Sequence, residues 1–245
     1  MKVFISPPFG NFVPLLSIKN VIPILGSYTI FPRKGLVGQV CRTYRYNREQ
    51  QGWVNRIGLR NKGLAAGMEQ YKKYSKNGPA VLSIGLVEPD DIQFVEKVLP
   101  LDIEIEINIS APSLNATPNI DEYISLGLSN IISQERKYNI IKLPHAVSMN
   151  TVDKLYECGF RQFHCSNTKL TAGGELSGPA LRQKNLATIE EMSRRFCGEI
   201  EIIGGGGIQN IDHIEQYRWV GAEHISLGTV CMNPYNLYKI LNVIQ

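Results

Sequence analysis

The chain has 245 residues, of which 26 are Lys or Arg and 22 are Asp or Glu, so its formal net charge is +4, and 43% of the residues are hydrophobic. This balance excludes an intrinsically disordered chain and a strongly basic nucleic-acid-binding protein. The length suits one large domain, and we expect a single domain over residues 1–245.

The apolar runs and the first residues give no sign of membrane targeting. No run reaches the roughly 18 consecutive apolar residues that span a bilayer, and residues 1–9 lack the basic start and long apolar run of a signal peptide. We therefore expect a cytoplasmic protein that binds neither membrane nor nucleic acid. The five cysteines are odd in number and scattered, and no histidine stands at ligand spacing from a cysteine or acidic residue, which favours reduced thiols and no metal site.

Short apolar runs rich in β-branched residues alternate with segments of helical spacing, a pattern typical of βαβ units. Eight runs are predicted strands: 3–6, 22–27, 80–85, 104–110, 139–144, 161–166, 201–205 and 224–229. Helices are predicted over 64–74, 90–98, 121–134, 151–158, 186–196, 211–219 and 235–244. Eight strands with helices between them predict a (β/α)8 TIM barrel, because a doubly wound sheet would have fewer strands and a glycine-rich turn after the first.

Two connections depart from this pattern. Residues 7–20 contain three prolines, so we expect a loop and an irregular first β-to-β connection. Residues 28–62, which we call the basic segment, are poor in regular periodicity and hold eight Lys or Arg residues. A solvated face or a site for an acidic ligand is a better interpretation of this segment than a nucleic-acid surface, because it contains no recognisable binding module.

The last two strands end in a pattern that favours phosphate binding. Ligands of such barrels bind at the carboxyl ends of the strands, and phosphate binds to the loops after strands seven and eight. Residues 204–207 are four glycines, and residues 226–229 read Ser-Leu-Gly-Thr. Glycine lets backbone N–H groups approach an anion, and Thr229 adds a hydroxyl donor. Tight-turn glycines are the alternative interpretation.

Polar side chains lie along strand four and at the ends of strands five and six. Strand alternation places four of them opposite the isoleucines of strand four and so inside the barrel: Glu104, Glu106, Asn108 and Ser110. Lys142 ends strand five, where it can hold an anionic ring, form a Schiff base if desolvated, or pair with a strand-four glutamate. Residues 164–169 form a polar end to strand six. Together these ends indicate a site for a phosphate and a polar planar group.

Seven motifs follow one another along the chain from about Ile22 onward. They are Gly-Ser-Tyr-Thr at 26–29 with Pro-Arg at 32–33, Asn-Arg-Ile-Gly-Leu-Arg-Asn-Lys-Gly at 55–63, Asn-Ile-Ser-Ala-Pro at 108–112, Lys-Leu-Pro at 142–144, Ser-Asn-Thr at 166–168, Gly-Glu-Leu-Ser-Gly-Pro at 174–179 and Ile-Gly-Gly-Gly-Gly-Ile at 203–208. In this order they resemble the FMN-dependent dihydroorotate dehydrogenases.

The resemblance implies an FMN cofactor and an oxidoreductase that moves a hydride from dihydroorotate to flavin N5, giving orotate for pyrimidine biosynthesis, or that acts in this way on a related small substrate. The positions that match cofactor contacts are Gly26, Ser27, Asn108, Lys142, Ser166, Gly178, Gly206, Gly207, Gly228 and Thr229. The positions that match contacts with the substrate ring are Asn55, Asn167 and Thr168. The resemblance also implies a homodimer, and it leaves the electron acceptor open.

The sequence departs from the family pattern at the catalytic positions. Ala111 stands where the family has its Ser or Cys base, so the adjacent Ser110, together with Lys142, is our candidate catalytic pair. Ser113 replaces the asparagine after the loop proline, residues 6–11 lack the family's substrate-contacting lysine, and residues 112–138 make a shorter active-site loop. Two alternatives stay open: a Schiff-base lyase or aldolase using Lys142, and a catalytically silent flavin-binding protein of the same fold.

Overall fold

Short parallel strands and the helices between them make up most of the chain. The structure, a computed structural model, describes residues 1–12, 18–109 and 119–244. Of Ile244 it describes the backbone only. The strands of the described residues are β1 (Val3–Ile5), β2 (Val21–Tyr28), β3 (Arg45–Asn47), β4 (Gly52–Asn55), β5 (Val81–Gly85), β6 (Ile105–Asn108), β7 (Asn139–Lys142), β8 (Gln162–Cys165), β9 (Lys169–Thr171), β10 (Gly174–Ser177), β11 (Glu201–Gly205) and β12 (His224–Leu227).

The helices lie mainly between the strands of the ring. In the described ranges they are α1 (Leu36–Thr43), α2 (Leu64–Ser75), α3 (Asp91–Val98), α4 (Ile120–Ser125), α5 (Met149–Glu157), α6 (Arg182–Phe196), α7 (Ile211–Trp219) and α8 (Pro234–Ile244). Among them, none is both long enough and apolar enough to cross a membrane.

Eight strands form a closed parallel barrel in the order β1-β12-β11-β8-β7-β6-β5-β2. The ring closes because β1 pairs with strands on both sides, Val3 lying opposite Val21 of β2 and opposite Ile225 of β12. The other four strands form a separate antiparallel sheet in the order β3-β4-β10-β9. The predicted (β/α)8 barrel is therefore confirmed, with a small second sheet built from the basic segment and the residues after β8.

The eight predicted strands all form barrel strands, whereas one predicted helix is wrong. Residues 121–134 hold the short helix α4 and a separate 3₁₀ turn over Leu128–Ile131. The break lies at Gly127, whose φ of +93° is left-handed and cannot continue an α-helix. The first β-to-β connection has a 3₁₀ turn at Phe9–Asn11, and its residues 13–17 lie outside the described part.

The barrel interior is apolar in its lower half and polar in its upper half. Strand alternation directs every second side chain inward, and one buried cluster fills the amino-terminal half: Phe4, Ile22, Ile24, Val81, Tyr138, Ile140 and Ile203. The intervening residues, such as Ile105, Ile107 and Ile141, join the larger core beneath the helices. The predicted outward packing of the strand-four isoleucines is thus confirmed. Above the apolar cluster lie the buried polar side chains Ser6, Ser83, Glu106, Asn108, Lys142, His164 and Ser226.

Capping side chains fix where several helices begin. Ser148 accepts a hydrogen bond from the Thr151 backbone N–H at 3.2 Å, and Asn210 accepts one from the His213 N–H at 3.0 Å. Each cap satisfies an N–H group that the first helical turn leaves free, and is worth about 1 kcal/mol. The loop that precedes each helix, which carries the strand-end residues, is thereby held between two fixed ends.

Candidate active site

An acid and a histidine lie fully buried in the upper half of the barrel. Glu106 on β6 and His164 on β8 are both 0% exposed, and His164 Nδ1 lies 2.5 Å from Glu106 Oε2. The Ser83 hydroxyl donates to Glu106 Oε1 at 2.7 Å. Each oxygen of the Glu106 carboxylate therefore has a hydrogen bond from another strand of the barrel, β8 or β5, which a buried charge requires.

The charges around Glu106 determine its protonation state. Burial alone would raise its pKa, but the charge of Lys142 and the hydrogen bonds from His164 and Ser83 outweigh burial and hold the pKa of Glu106 at about 2. Burial also lowers the pKa of His164 from its ordinary value. Glu106 is consequently ionised and His164 neutral at pH 7, with the proton of His164 on Nδ1. The Nε2 atom of His164 is buried and has no hydrogen-bond partner among the described residues.

A chain of hydrogen bonds rises from this pair to the mouth of the barrel. Ser27 Oγ lies 2.7 Å from Ser83 Oγ and accepts from Asn108 Nδ2 at 3.3 Å, while Asn167 Nδ2 donates to Asn108 Oδ1 at 3.3 Å. Lys142, 7% exposed, lies opposite Asn108 in the β6–β7 register. The structure thus brings together four predicted site residues from four different strand ends.

A second group of predicted residues meets beneath the antiparallel sheet. Asn55 at the end of β4 donates through Nδ2 to the backbone oxygen of Glu175 at 3.4 Å, and the Thr168 hydroxyl donates to Glu175 Oε2 at 3.3 Å. Asn55 and Thr168 are therefore linked through one residue of β10. Because Thr168 directly follows Asn167, this group adjoins the Asn108 network.

Three glycine-containing loops form the third part of the site. Gly205 and Ser226 are register partners, so the loops after β11 and β12 leave the barrel side by side. A Cβ on Gly207 would lie 2.8 Å from Pro179 Cα and 2.9 Å from the Gly178 oxygen, which shows that the loop after β10 packs directly against Gly207. A Cβ on Gly228 would meet nothing nearer than 3.9 Å. The loops around Gly178 and Gly207 are closed against each other, whereas Gly228 faces open space.

The residues present fit a ligand with a phosphate and a polar ring. The backbone N–H groups of Gly206, Gly207, Gly228 and Thr229 donate to no backbone oxygen within the described part of the chain. Gly206 and Gly207 have φ of +93° and +75°, a conformation in which successive N–H groups can converge on an anion. Ser166 lies next to these loops, since a Cβ on Gly205 would be 3.0 Å from its hydroxyl. Gly26, by contrast, is closed in by the Ser83 oxygen.

The candidate base Ser110 lies outside the described residues. The same is true of Ala111, Ser113 and the first part of the shortened loop. In the part that is described, no group of three or more His, Cys, Asp or Glu side chains is placed to hold a metal ion.

Comparison with known proteins shows what the chain is similar to. Residues 128–245 match the family model described as dihydroorotate dehydrogenase. The "Dihydroorotate dehydrogenase B (NAD(+)), catalytic subunit" of Enterococcus faecalis is 26% identical over 228 residues, covering 82% of this chain and 72% of the relative. The chain is similar to dihydroorotate dehydrogenases over most of its length. The catalytic subunit of the same name from Thermotoga petrophila is 25% identical and covers 93% of the chain and 89% of the relative.

A relative named for a different electron acceptor and a solved structure are also similar to this chain. "Dihydroorotate dehydrogenase (quinone)" of Proteus mirabilis is 24% identical, covering 87% of this chain and 74% of that protein. The crystal structure of DHODH from Eimeria tenella in complex with ferulenol superimposes with a TM-score of 0.78 at 18% identity. The superposition covers 99% of this chain and 80% of the Eimeria tenella chain, and it supports the barrel fold.

Sequence reasoning missed one pairing and two polar residues of the site. Glu106 was predicted to point inward, but its pairing with His164 was not, because β6 and β8 are separated by 58 positions. Ser83 and Glu175 were not singled out. The predicted alternative of an ion pair between Lys142 and a strand-four glutamate is not what forms: Glu106 bonds to His164 and Ser83, and Lys142 acts on it through its charge.

Proposed function

We propose that the protein is an FMN-dependent oxidoreductase that oxidises dihydroorotate to orotate, or acts on a related small substrate. The observation that carries the proposal is the arrangement at the carboxyl end of the barrel: a polar network on Ser27, Asn108 and Asn167 lies beside glycine loops whose N–H groups have no backbone acceptor. When bound, FMN supplies the acceptor for a hydride from the substrate ring.

In this proposal the chain's residues bind and orient. The N–H groups of Gly206, Gly207 and Gly228, with the Thr229 hydroxyl and the Gly178 loop, hold the phosphate. Gly26 and Ser27 line the pocket, Asn108 and Ser166 hydrogen-bond the ring, and Lys142 places a cation where negative charge develops on reduction. Three residues contact the substrate ring: Asn55, Asn167 and Thr168. The ionised Glu106 offsets the Lys142 charge inside the barrel.

The proton on substrate C5 needs a separate acceptor. Ser110 is our candidate base, since the side chain of Ala111 cannot accept a proton. Ala111→Ser, which places a hydroxyl at the position where the family has its base, is expected to raise the rate of dihydroorotate oxidation and leave FMN affinity unchanged. A rate that falls would indicate that Ser110 or another group already fills this role.

Absorbance spectroscopy tests the proposal. The purified protein, reconstituted with FMN, is expected to show bound flavin bands that bleach when dihydroorotate is added without oxygen. Lys142→Ala is expected to weaken FMN binding or shift the flavin reduction potential, whereas Lys137→Ala, an exposed lysine just before the same strand, is the matched control. Bands that persist with dihydroorotate favour the catalytically silent flavin protein, and a protein that FMN cannot reconstitute overturns the proposal.

The remaining expectations stay predictions. A Schiff-base lyase is not favoured, because the named relatives are dehydrogenases. We also propose a single domain over residues 1–245, a cytoplasmic location and a homodimer. Size-exclusion chromatography with light scattering tests the homodimer.

A further inference from the structure

Glu175 lies among the residues that we propose to contact the substrate ring. It stands on β10 directly opposite Asn55 of β4, so the two side chains share one face of the small sheet. The backbone oxygen of Glu175 accepts from Asn55 Nδ2 at 3.4 Å, and its Oε2 atom accepts from the Thr168 hydroxyl at 3.3 Å. The Glu175 side chain is half-buried. A carboxylate is therefore placed beside the ring that Asn55 and Thr168 would hold.

A path of hydrogen bonds leads from the proposed flavin contact Asn108 to Glu175. Asn108 Oδ1 accepts from Asn167 Nδ2 at 3.3 Å, and Asn167 Oδ1 accepts from the Thr168 backbone N–H at 2.9 Å. The Thr168 hydroxyl then donates to Glu175. The order along this path is flavin contact, ring contacts, carboxylate. A substrate ring held by Asn167 and Thr168 therefore lies between the proposed flavin position and the Glu175 carboxylate.

Oxidation of the substrate ring needs a base at this place. Removal of the C6 hydride gives a double bond only if the proton on C5 is also removed. The methyl group of Ala111 cannot take a proton, and the hydroxyl of Ser110 is a weak base that has to pass a proton to a stronger neighbour. A carboxylate is a stronger base than a hydroxyl group, and in its ionised form it only accepts hydrogen bonds.

The other acids and histidines near the site are placed elsewhere. Glu106 and His164 are both 0% exposed and bond to each other beneath the polar network at the mouth of the barrel, so no substrate reaches them. His145 lies beside Asn185 at the glycine loops. In the described part of the chain, Glu175 is the acid whose side chain bonds to a proposed ring contact.

We propose that Glu175 is the final acceptor of the proton from substrate C5, which reaches it directly or through the Ser110 hydroxyl. This inference rests on the proposed function. In this step the hydrogen on C6 leaves with its electron pair for the flavin. The C5–H bond breaks, its electron pair forms the C5–C6 double bond, and its proton forms an O–H bond on the Glu175 carboxylate. The protonated carboxyl group then releases the proton to water.

Anaerobic stopped-flow absorbance with dihydroorotate tests the proposal on the FMN-loaded protein. Glu175→Gln keeps the size of the side chain and an oxygen that accepts from Thr168, but its amide is not a base. Bleaching of the flavin is expected to slow about 100-fold or more, while the Kd for FMN stays unchanged. Glu175→Asp keeps a carboxylate and is expected to restore part of the rate. The control Glu191→Gln, an exposed glutamate on α6, is expected to bleach at the wild-type rate.

Two further measurements separate loss of the base from damage to the site. Orotate carries a carboxylate on C6, next to C5, so removal of the Glu175 charge is expected to tighten orotate binding about threefold or more in a titration of the flavin absorbance. A damaged site would bind orotate more weakly. Deuterium at C5 of the substrate is expected to slow bleaching more in Glu175→Gln than in the wild type, because breaking of that bond becomes the slowest step.

Three results would overturn the assignment of Glu175. One is a wild-type bleaching rate in Glu175→Gln. Another is weakening of orotate binding by the same factor as the rate, which would make the role of Glu175 structural. The third is a large loss of rate in Ser110→Ala beside a small loss in Glu175→Gln, which would leave the proton with Ser110. A wild-type protein that holds FMN but is not bleached by dihydroorotate is a different outcome, because it overturns the proposed function and this inference with it.

Discussion

Replacing Glu106 with glutamine tests the buried charge at the centre of the barrel. The amide keeps the shape of the carboxylate but carries no charge, and its single oxygen can accept from only one of Ser83 and His164. The pKa of Glu106 lies at about 2 in the folded protein and at 4.5 ordinarily. A pKa that is lower in the folded state adds stability above the unfolded value, and this stability is lost as the pH falls toward the folded value.

The size of the effect follows from these two pKa values. Their separation corresponds to about 3 kcal/mol in the free energy of unfolding, of which about 2 kcal/mol is lost between pH 7 and pH 3. We expect Glu106→Gln to be less stable than the wild type at pH 7, and this gap to narrow by about 2 kcal/mol at pH 3. His164 is neutral in the wild type, because burial lowers its pKa.

Urea denaturation followed by far-ultraviolet circular dichroism, repeated at pH 7, 5, 4 and 3, measures the gap. Glu157→Gln, an exposed glutamate on α5, is the matched control and is expected to track the wild type at each pH. A stability gap for Glu106→Gln that stays constant from pH 7 to pH 3 would refute the reasoning, because it would mean that Glu106 is not held ionised by its neighbours.

Two further predictions concern the glycine loops and the thiols. Gly207→Ala is expected to abolish FMN binding, followed by absorbance titration, and to lower the free energy of unfolding by about 1–3 kcal/mol. The reason is that the φ of Gly207 is +75° and the new methyl group would lie 2.8 Å from the backbone of Pro179. Gly198→Ala is the control: its φ is +86° but the space around it is open, so it is expected to retain FMN binding in the same titration. Burial raises the pKa of the Cys165 thiol and keeps it from solvent. In the native protein we therefore expect a thiol-reactive dye to modify the exposed Cys41 and Cys197 and to leave Cys165 unmodified, as followed by mass spectrometry over time. Rapid labelling of Cys165 would contradict its burial.

The sequence predicted the barrel because each barrel strand is a local pattern. β11 and α7, for example, coincide with their predicted bounds, since an apolar run of β-branched residues and a 3.6-residue period are both visible within a few residues. The same windows contain the strand-end glycines and Lys142, and the family resemblance assigned their roles. Their order along the chain was enough to predict that they lie at strand ends, and the roles themselves stay predictions.

What the sequence did not predict depends on contacts between distant residues. β4 and β10 pair Asn55 with Glu175, 120 positions away, and strands of three or four residues have too little local pattern to be recognised. The helix α1 was missed because it has only eight residues and begins after Gly35 with no capping side chain, so the local signal for a helix is weak. The Glu106–His164 pair was missed for the same reason as the sheet, since only the register of the closed barrel brings the two side chains together.

The small antiparallel sheet also has a consequence for synthesis of the protein on the ribosome. β3 and β4 are made early, but their partner β10 begins at Gly174, and the barrel cannot close until β12 pairs with β1. During that interval the edge of β4 that pairs with β10 is without its final neighbour. Pairings between such distant segments form slowly and leave strand edges open to association with other chains. The nascent protein therefore has its greatest need of a chaperone before residue 174 emerges.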